Sequence, residues 1–446
     1  MRRTRYKTIV DHFAQRIRAG QLCPGTQLPT VRALMASEQV ALATALRVYH
    51  ELEAIGLVVG EPGRGTFVRD TSLPRGMGLE QHPASAASVD LAFNYPSLPG
   101  QAESLREGLR AIAASGDLDA LLHSAPQGGR PHERQTAARH LRNREIRVAA
   151  EQVLIVNGAQ QGLAVSLLAL LQPGDILAVD ALTYPGLKTL AQVHRLDLEA
   201  LPQHNGQMDL DALQALCRRR PVRALYCMPT LHNPLGTVMP LAERRRLAQL
   251  AREHDLLLIE DGAYAFLAEP APPPLQTLAP ERTLYISGLS KSVASGLRLG
   301  FIVAPLEMIP ALERAIRVST WSTPSLTVTL GCRWIESGLV DSLEEQKRND
   351  ARSRQQLARR VLKGCDYQAY GSSYFLWLKL PEGRRADAVV AALEHQGVTV
   401  TSAEPFATTA HVPQALRLAL GSIGLPLLEH CLLYTSDAAD DTPCVD

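Results

Sequence analysis

Apolar residues at Ile9, Phe13 and Ile17 recur every fourth position and predict a helix with one buried stripe. Gly20 and Pro24-Gly25 end it. Thr30 then offers an N-cap before Val31, Leu34 and Met35, so a second helix is expected there. A break near Glu38-Gln39 leads to a third helix over about 41–55. Its apolar face is Ala45, Val48, Tyr49, Leu52 and Ile55, and Gly56 is its stop signal. Two short apolar runs, 57–59 and 66–68, flank Pro62-Gly63-Arg64-Gly65, the pattern of a two-stranded wing around a glycine turn.

The pattern changes beyond residue 70. Residues 71–90 are rich in Ser, Gly, Pro and Ala and show no period, which is linker composition. From about 91 to 430 short apolar runs (153–156, 176–179, 224–228, 256–259, 284–286 and 301–303) alternate with helical patterns. That alternation predicts a largely parallel α/β sheet. Residues 431–446 do not continue it. They are expected to be a disordered acidic tail or a sequencing artefact, outside the fold.

The 446 residues exceed what one hydrophobic core usually serves, so several domains are expected. An apolar fraction of 46% with 20% charged residues excludes disorder, collagen and a disulfide scaffold for the bulk of the chain. The net charge of +1 hides an asymmetry: residues 1–70 carry ten Lys or Arg against six Asp or Glu, a balance of +4. A basic head on a mildly acidic body points to nucleic acid. None of the seven cysteines has C-x-x-C spacing, so no metal site is expected. The N-terminus lacks a secretory apolar core, and no apolar run reaches the roughly 18 residues of a membrane span. A cytoplasmic protein is the expectation.

Helix, turn, helix and β-wing make a winged helix-turn-helix, whose third helix enters a major groove. The residues Gly20…Pro24-Gly25…Leu28-Pro29-Thr30-Val31-Arg32, Leu52-Glu53…Gly56-Leu57 and Gly63-Arg64-Gly65-Thr66-Phe67-Val68 resemble the GntR family over about 65 positions. The resemblance implies DNA contacts by Arg32 and the wing Arg64, with Thr44 and Arg47 on the recognition helix. One departure stands out. The family usually opens that helix with Ser-Arg and Thr-Val pairs, where this chain has Ala41-Leu42-Ala43-Thr44-Ala45.

In the body, Ser287-Gly288-Leu289-Ser290-Lys291 follows one apolar run, and Arg298 precedes the next. A lysine that attacks a carbonyl needs a strand's C-terminal edge and an uncharged amine, and an arginine nearby can clamp a phosphate. Four further segments follow strands: Asn157-Gly158-Ala159-Gln160-Gln161, Asp180-Ala181-Leu182-Thr183-Tyr184-Pro185, His232-Asn233-Pro234 and Glu260-Asp261-Gly262-Ala263-Tyr264. Ligands bind at such strand ends in α/β sheets.

Together these segments resemble the fold-type I pyridoxal-phosphate enzymes of the aspartate aminotransferase family, from about 91 to 430. The resemblance implies a three-layer αβα large domain (about 120–310) and a smaller α+β domain (about 311–430). It implies pyridoxal 5′-phosphate as cofactor, joined to Lys291 as an internal aldimine. Asp261 would face the ring nitrogen, Asn233 and Tyr264 the phenolic oxygen, and Tyr184 the ring face. Gly158, Ala159, Gln160 and Arg298 would hold the phosphate. Arg417 and Asn94 would take the carboxylate of an amino compound. Related proteins carry Ser or Thr three residues before the lysine, where this chain has Gly288. They also carry a Tyr reaching the partner subunit's phosphate, where Ser124 or His123 stands here.

A GntR head, a linker and an aminotransferase-like body make the layout of MocR-type regulators. That resemblance implies a transcriptional regulator which binds operator DNA, senses pyridoxal phosphate or an amino compound, and forms a head-to-tail homodimer without membrane contact. The alternative reading is a working aminotransferase with a vestigial head.

Overall fold

Three helices and a hairpin form the head: α1 (Arg5–Arg18), α2 (Val31–Glu38), α3 (Leu42–Ala54), β1 (Val58–Glu61) and β2 (Gly65–Val68). The structure, a computed structural model, describes residues 5–18, 21–23, 25–54, 57–61, 64–69, 89–115, 118–204 and 206–440. Gly20, Pro24, Ile55, Gly56, Pro62, Gly63, the expected linker over 71–88 and the last six residues lie outside these. Thr30 caps α2, its Oγ1 accepting from Ala33 N at 3.2 Å. The expected apolar stripes close one small core in which Ile9, Phe13, Ile17, Leu34, Val48 and Leu52 are buried. The hairpin pairs antiparallel, with Val58 opposite Val68.

The body is built on a seven-stranded sheet. Its strands are β3 (Val153–Val156), β4 (Ile176–Asp180), β5 (Asp197–Leu201), β6 (Val222–Cys227), β7 (Leu257–Asp261), β8 (Thr283–Gly288) and β9 (Gly300–Val303), in the spatial order β3-β9-β8-β7-β6-β4-β5. Only β9 runs against its neighbours. All the other strands therefore end at one edge of the sheet. Several run past the apolar residues to include Asp180, Asp261 and Gly288, which places polar groups on that edge. Burial on both faces explains why these strands read as continuous apolar runs, not as alternation. Helix α4 (Ala159–Leu170) packs on β8 and β9.

A four-stranded sheet forms the smaller domain, with Phe375–Lys379 and Ala415–Ala419 paired antiparallel at its centre. The long helix α5 (Leu339–Val361) runs between this sheet's core and the large domain. Two boundaries differ from expectation. Val89 and Asp90 pair in parallel with Val398 and Thr399, so they belong to the body and not to a linker. The fold also continues past residue 430: Leu425–Asp440 is one helix, with Cys431, Leu432, Thr435 and Ala439 buried. Residues four apart in that segment share a face, and the face meets α5.

The wing touches the smaller domain. The Arg385 guanidinium lies 4.2 Å from the Phe67 ring centre, and Arg69 pairs with Glu404.

Candidate functional site

Lys291 sits on the helical turn Leu289–Ser292, directly after β8. Its Nζ donates to the Asn94 carbonyl at 2.8 Å and lies 5.7 Å from the ring centres of both Tyr95 and Tyr264. Asp261 ends β7. Its Oδ1 accepts from Ala263 N at 2.9 Å and its Oδ2 from the Tyr226 hydroxyl at 2.8 Å. Burial raises the Asp261 pKa, and those two donors oppose the rise. Tyr184 donates to Gln160 Oε1 at 2.8 Å. Its hydroxyl is held protonated by burial first, then by the charge of Asp261 and by Tyr264, with Arg298 acting the other way. Asp261, Tyr264 and Arg298 therefore all lie within electrostatic reach of the Tyr184 hydroxyl.

A cup for an anion lies beside them. Gly158 precedes α4 with φ 82°, a region that favours glycine, and a Cβ there would meet Arg298 Nη2 at 2.9 Å. Free N–H groups at Ala159 and Gln160 open the helix towards the Arg298 guanidinium, an arrangement suited to phosphate. The departure at Gly288 has a steric cause: a Cβ there would lie 2.7 Å from the Leu299 carbonyl, because β8 and β9 close in at Gly288 and Gly300.

Arg417 reaches the same region from the smaller domain. It is buried, one guanidinium nitrogen donates to the Ala92 carbonyl, and Nε has no partner. Burial lowers its pKa, while Tyr264 and Asp90 raise it. The Asn94 Nδ2 and Asn233 Oδ1 atoms are likewise buried without partners. Unpaired buried polar atoms are costly. The Asn94 donor lies close to Lys291, whose amine donates to the Asn94 carbonyl, and Arg417 donates to the Ala92 carbonyl two residues earlier.

On the head, Arg32 is exposed on α2 and Arg64 is exposed in the wing turn. Thr44 is half-buried on α3. Arg47 is exposed, but its guanidinium lies 4.2 Å over the Tyr6 ring and its Nε is 3.9 Å from Glu51.

Sequence reasoning passed over two residues. Tyr226 was hidden in an apolar strand, where a lone hydroxyl was the signal. Lys347 sits at the buried helical spacing of Val340, Leu343, Glu344 and Ala351. A lysine on such a stripe was the available clue.

Residues 87–424 match the family aminotransferase class I and II. The chain belongs to that family. Residues 5–68 match the bacterial regulatory proteins of the gntR family. The joining of these two parts in one chain is the MocR-type layout. The uncharacterized HTH-type transcriptional regulator YdeF of Bacillus subtilis is 29% identical over 92% of this chain and 88% of its own length. The 2-aminoadipate transaminase of Thermus thermophilus is 28% identical over 74% of this chain and 83% of its own. Among solved structures, the alpha-aminoadipate aminotransferase LysN of Thermus thermophilus superposes with a TM-score of 0.73. It is 25% identical, over 82% of this chain and 97% of that one.

Proposed function

We propose that this protein is a transcriptional regulator whose aminotransferase-type body holds pyridoxal 5′-phosphate and reports its state, or that of a bound amino compound, to a DNA-binding head. The observation that carries this reading is Lys291 just past the C-terminal end of β8, with the Tyr264 ring centre 5.7 Å from its amine and Ala159 N 3.6 Å from where a Gly288 Cβ would stand, in a chain that carries a gntR-type head.

The residues fit that cofactor. The cup at Gly158, Ala159, Gln160 and Arg298 matches a phosphate in charge and donors. Asp261, supported by Tyr226, is assigned to the ring nitrogen, where it would hold a proton. Asn233 and Tyr264 are assigned to the phenolic oxygen, and Tyr184 to the ring face. When bound, pyridoxal phosphate supplies an electrophilic carbon and an electron-withdrawing ring. Lys291 supplies the amine and is the residue assigned to covalent attachment. Arg417 and Asn94 offer unspent donors to a carboxylate.

A route to the head supports the sensing half of the proposal. The Arg417 guanidinium lies 5.5 Å from the Phe406 ring centre, and the Phe406 carbonyl accepts from Thr183 N at 2.8 Å, next to Tyr184. Two residues before Phe406, Glu404 pairs with Arg69 of the wing. Exposed apolar side chains at Leu105, Leu109, Leu118, Leu122, Trp321 and Leu326 support assembly with a second copy. No described helix is long and apolar enough to cross a membrane.

The second reading, a working aminotransferase, draws on the buried, unpaired Nε of Arg417. A DNA titration with the gene's own upstream region, at fixed salt and with or without pyridoxal phosphate, separates the two. Specific binding that shifts with the cofactor is the expected result. Binding at the non-specific level in both states, with steady turnover of a keto acid, would favour the second reading.

A further inference from the structure

Lys347 is fully buried on α5. Its partners are three main-chain carbonyls: Pro96 at 2.9 Å, Lys291 at 3.0 Å and Val293 at 2.7 Å. Three acceptors match the three N–H bonds of an ammonium. Burial, and then the charge of Lys291, push this group down to about 7, while Asp350 and Glu344 favour the charged form. A buried cation is expensive unless it is hydrogen-bonded, and these three carbonyls meet that need.

Its three acceptors belong to two pieces of chain. Lys291 lies in the turn Leu289–Ser292 and Val293 directly follows it. Pro96 ends the Asn94-Tyr95-Pro96 segment, whose Asn94 carbonyl accepts from that same amine. Gln101 reinforces the link: it donates to Val293 O at 2.8 Å and accepts from Leu98 N at 2.7 Å. The 93–96 segment is also held to the smaller domain, with Tyr95 N donating to Ser422 Oγ and Ser422 donating to the Phe93 carbonyl. Lys347 is thus the point where α5, the Lys291 turn and the segment over Lys291 meet.

We propose that Lys347 is the positioning residue for Lys291, fixing the reach of its amine by tying its turn to the Asn94-Tyr95-Pro96 segment. The inference rests on the reading of Lys291 as the attachment point for pyridoxal phosphate. The three hydrogen bonds of Lys347 go neither to the anion cup nor to the residues assigned to the ring face, nitrogen or phenolic oxygen. Its loss should change where the amine points and leave the anion cup as it is.

The test uses the full chain, wild type and Lys347→Met. Each is mixed with pyridoxal phosphate, reduced with borohydride over a time course, and digested. The pyridoxyl mass on the Lys291 peptide is then followed. Competition by inorganic phosphate measures the cup separately. Small misplacements of reacting groups cost large factors, so trapping on Lys291 should slow by about tenfold or more in K347M. Phosphate competition should stay within about twofold of wild type, since the cup keeps its donors. Equal trapping rates in a folded K347M would overturn the proposal. So would a parallel loss of phosphate competition, which marks a general structural defect. If K347M does not fold, Lys347→Gln decides, being one bond shorter and able to reach at most two carbonyls. Trapping by K347Q should be slowed, and wild-type trapping there would overturn the idea. Failure of the wild-type protein to trap the group on Lys291 would remove the underlying reading instead, and that control keeps the two failures apart.

Discussion

Tyr226 donates its hydroxyl to Asp261 Oδ2 at 2.8 Å, and both side chains are buried at the edge of neighbouring parallel strands. The register sets Tyr226 opposite Ile259, two residues before Asp261. This pairing holds the carboxylate against its own desolvation. Tyr226→Phe removes one of its two donors and leaves Oδ2 unpaired. A lost bond to a charged group is worth about 1.5–3 kcal/mol, so pyridoxal phosphate should bind roughly tenfold more weakly or worse. Titration followed by cofactor absorbance reads this directly, and unchanged affinity would refute it.

Arg417 and Arg298 should separate two binding events. Arg417→Met removes a buried cation of the smaller domain but leaves the cup at Gly158 intact. Amino acids should then fail to perturb the spectrum of the loaded protein, while cofactor affinity stays within about threefold of wild type. Arg298→Ala should do the reverse and weaken the cofactor by about tenfold or more. Equal effects of both substitutions on cofactor affinity would contradict the assignment.

Glu260 gives a pH-dependent prediction. It is raised from 4.5 to about 7 by burial, against the pull of Arg244 and the amides of Gln276 and Leu275. The folded chain therefore keeps this proton to higher pH than the unfolded chain does. Its contribution to stability is complete below about 4.5 and is lost as pH rises through about 7. Glu260→Gln cannot lose that contribution. The variant should match wild type near pH 4 and exceed it at pH 8 by on the order of 3 kcal/mol. Denaturant midpoints at the two pH values provide the check, and a constant difference between the proteins would count against it.

For the head, the expected contacts are electrostatic. Arg32→Ala and Arg64→Ala should each weaken DNA binding across sequences and reduce the salt slope by about one. Arg47→Ala should do less, because Tyr6 and Glu51 already engage that guanidinium. Binding isotherms at several salt concentrations separate the three. A steeper loss for Arg47 than for Arg32 would reverse this ranking.

Much of this protein is written in local patterns. The four-residue spacing of Ile9, Phe13 and Ile17, the cap at Thr30 and the glycine-containing wing turn are short-range signals, and short-range physics reads them. The same holds for the apolar runs before Asn157, Asp261 and Lys291. A parallel sheet ends its strands at one edge, so residues that directly follow those runs gather along that edge whatever the spatial order of the strands. The tertiary structure decided what depends on distant partners. Arg417 reaches Lys291's neighbourhood only because Ala415–Ala419 pairs with Phe375–Lys379 in a second sheet. The Tyr226–Asp261 bond needs the β6–β7 register, and the Lys347 contacts need α5 to cross two remote turns. The helix through residues 431–440 was invisible because its composition departs from the preceding pattern. Its burial comes from the face it presents to α5. Periodicity encodes an element and its buried side, and it carries no record of which element will cover that side.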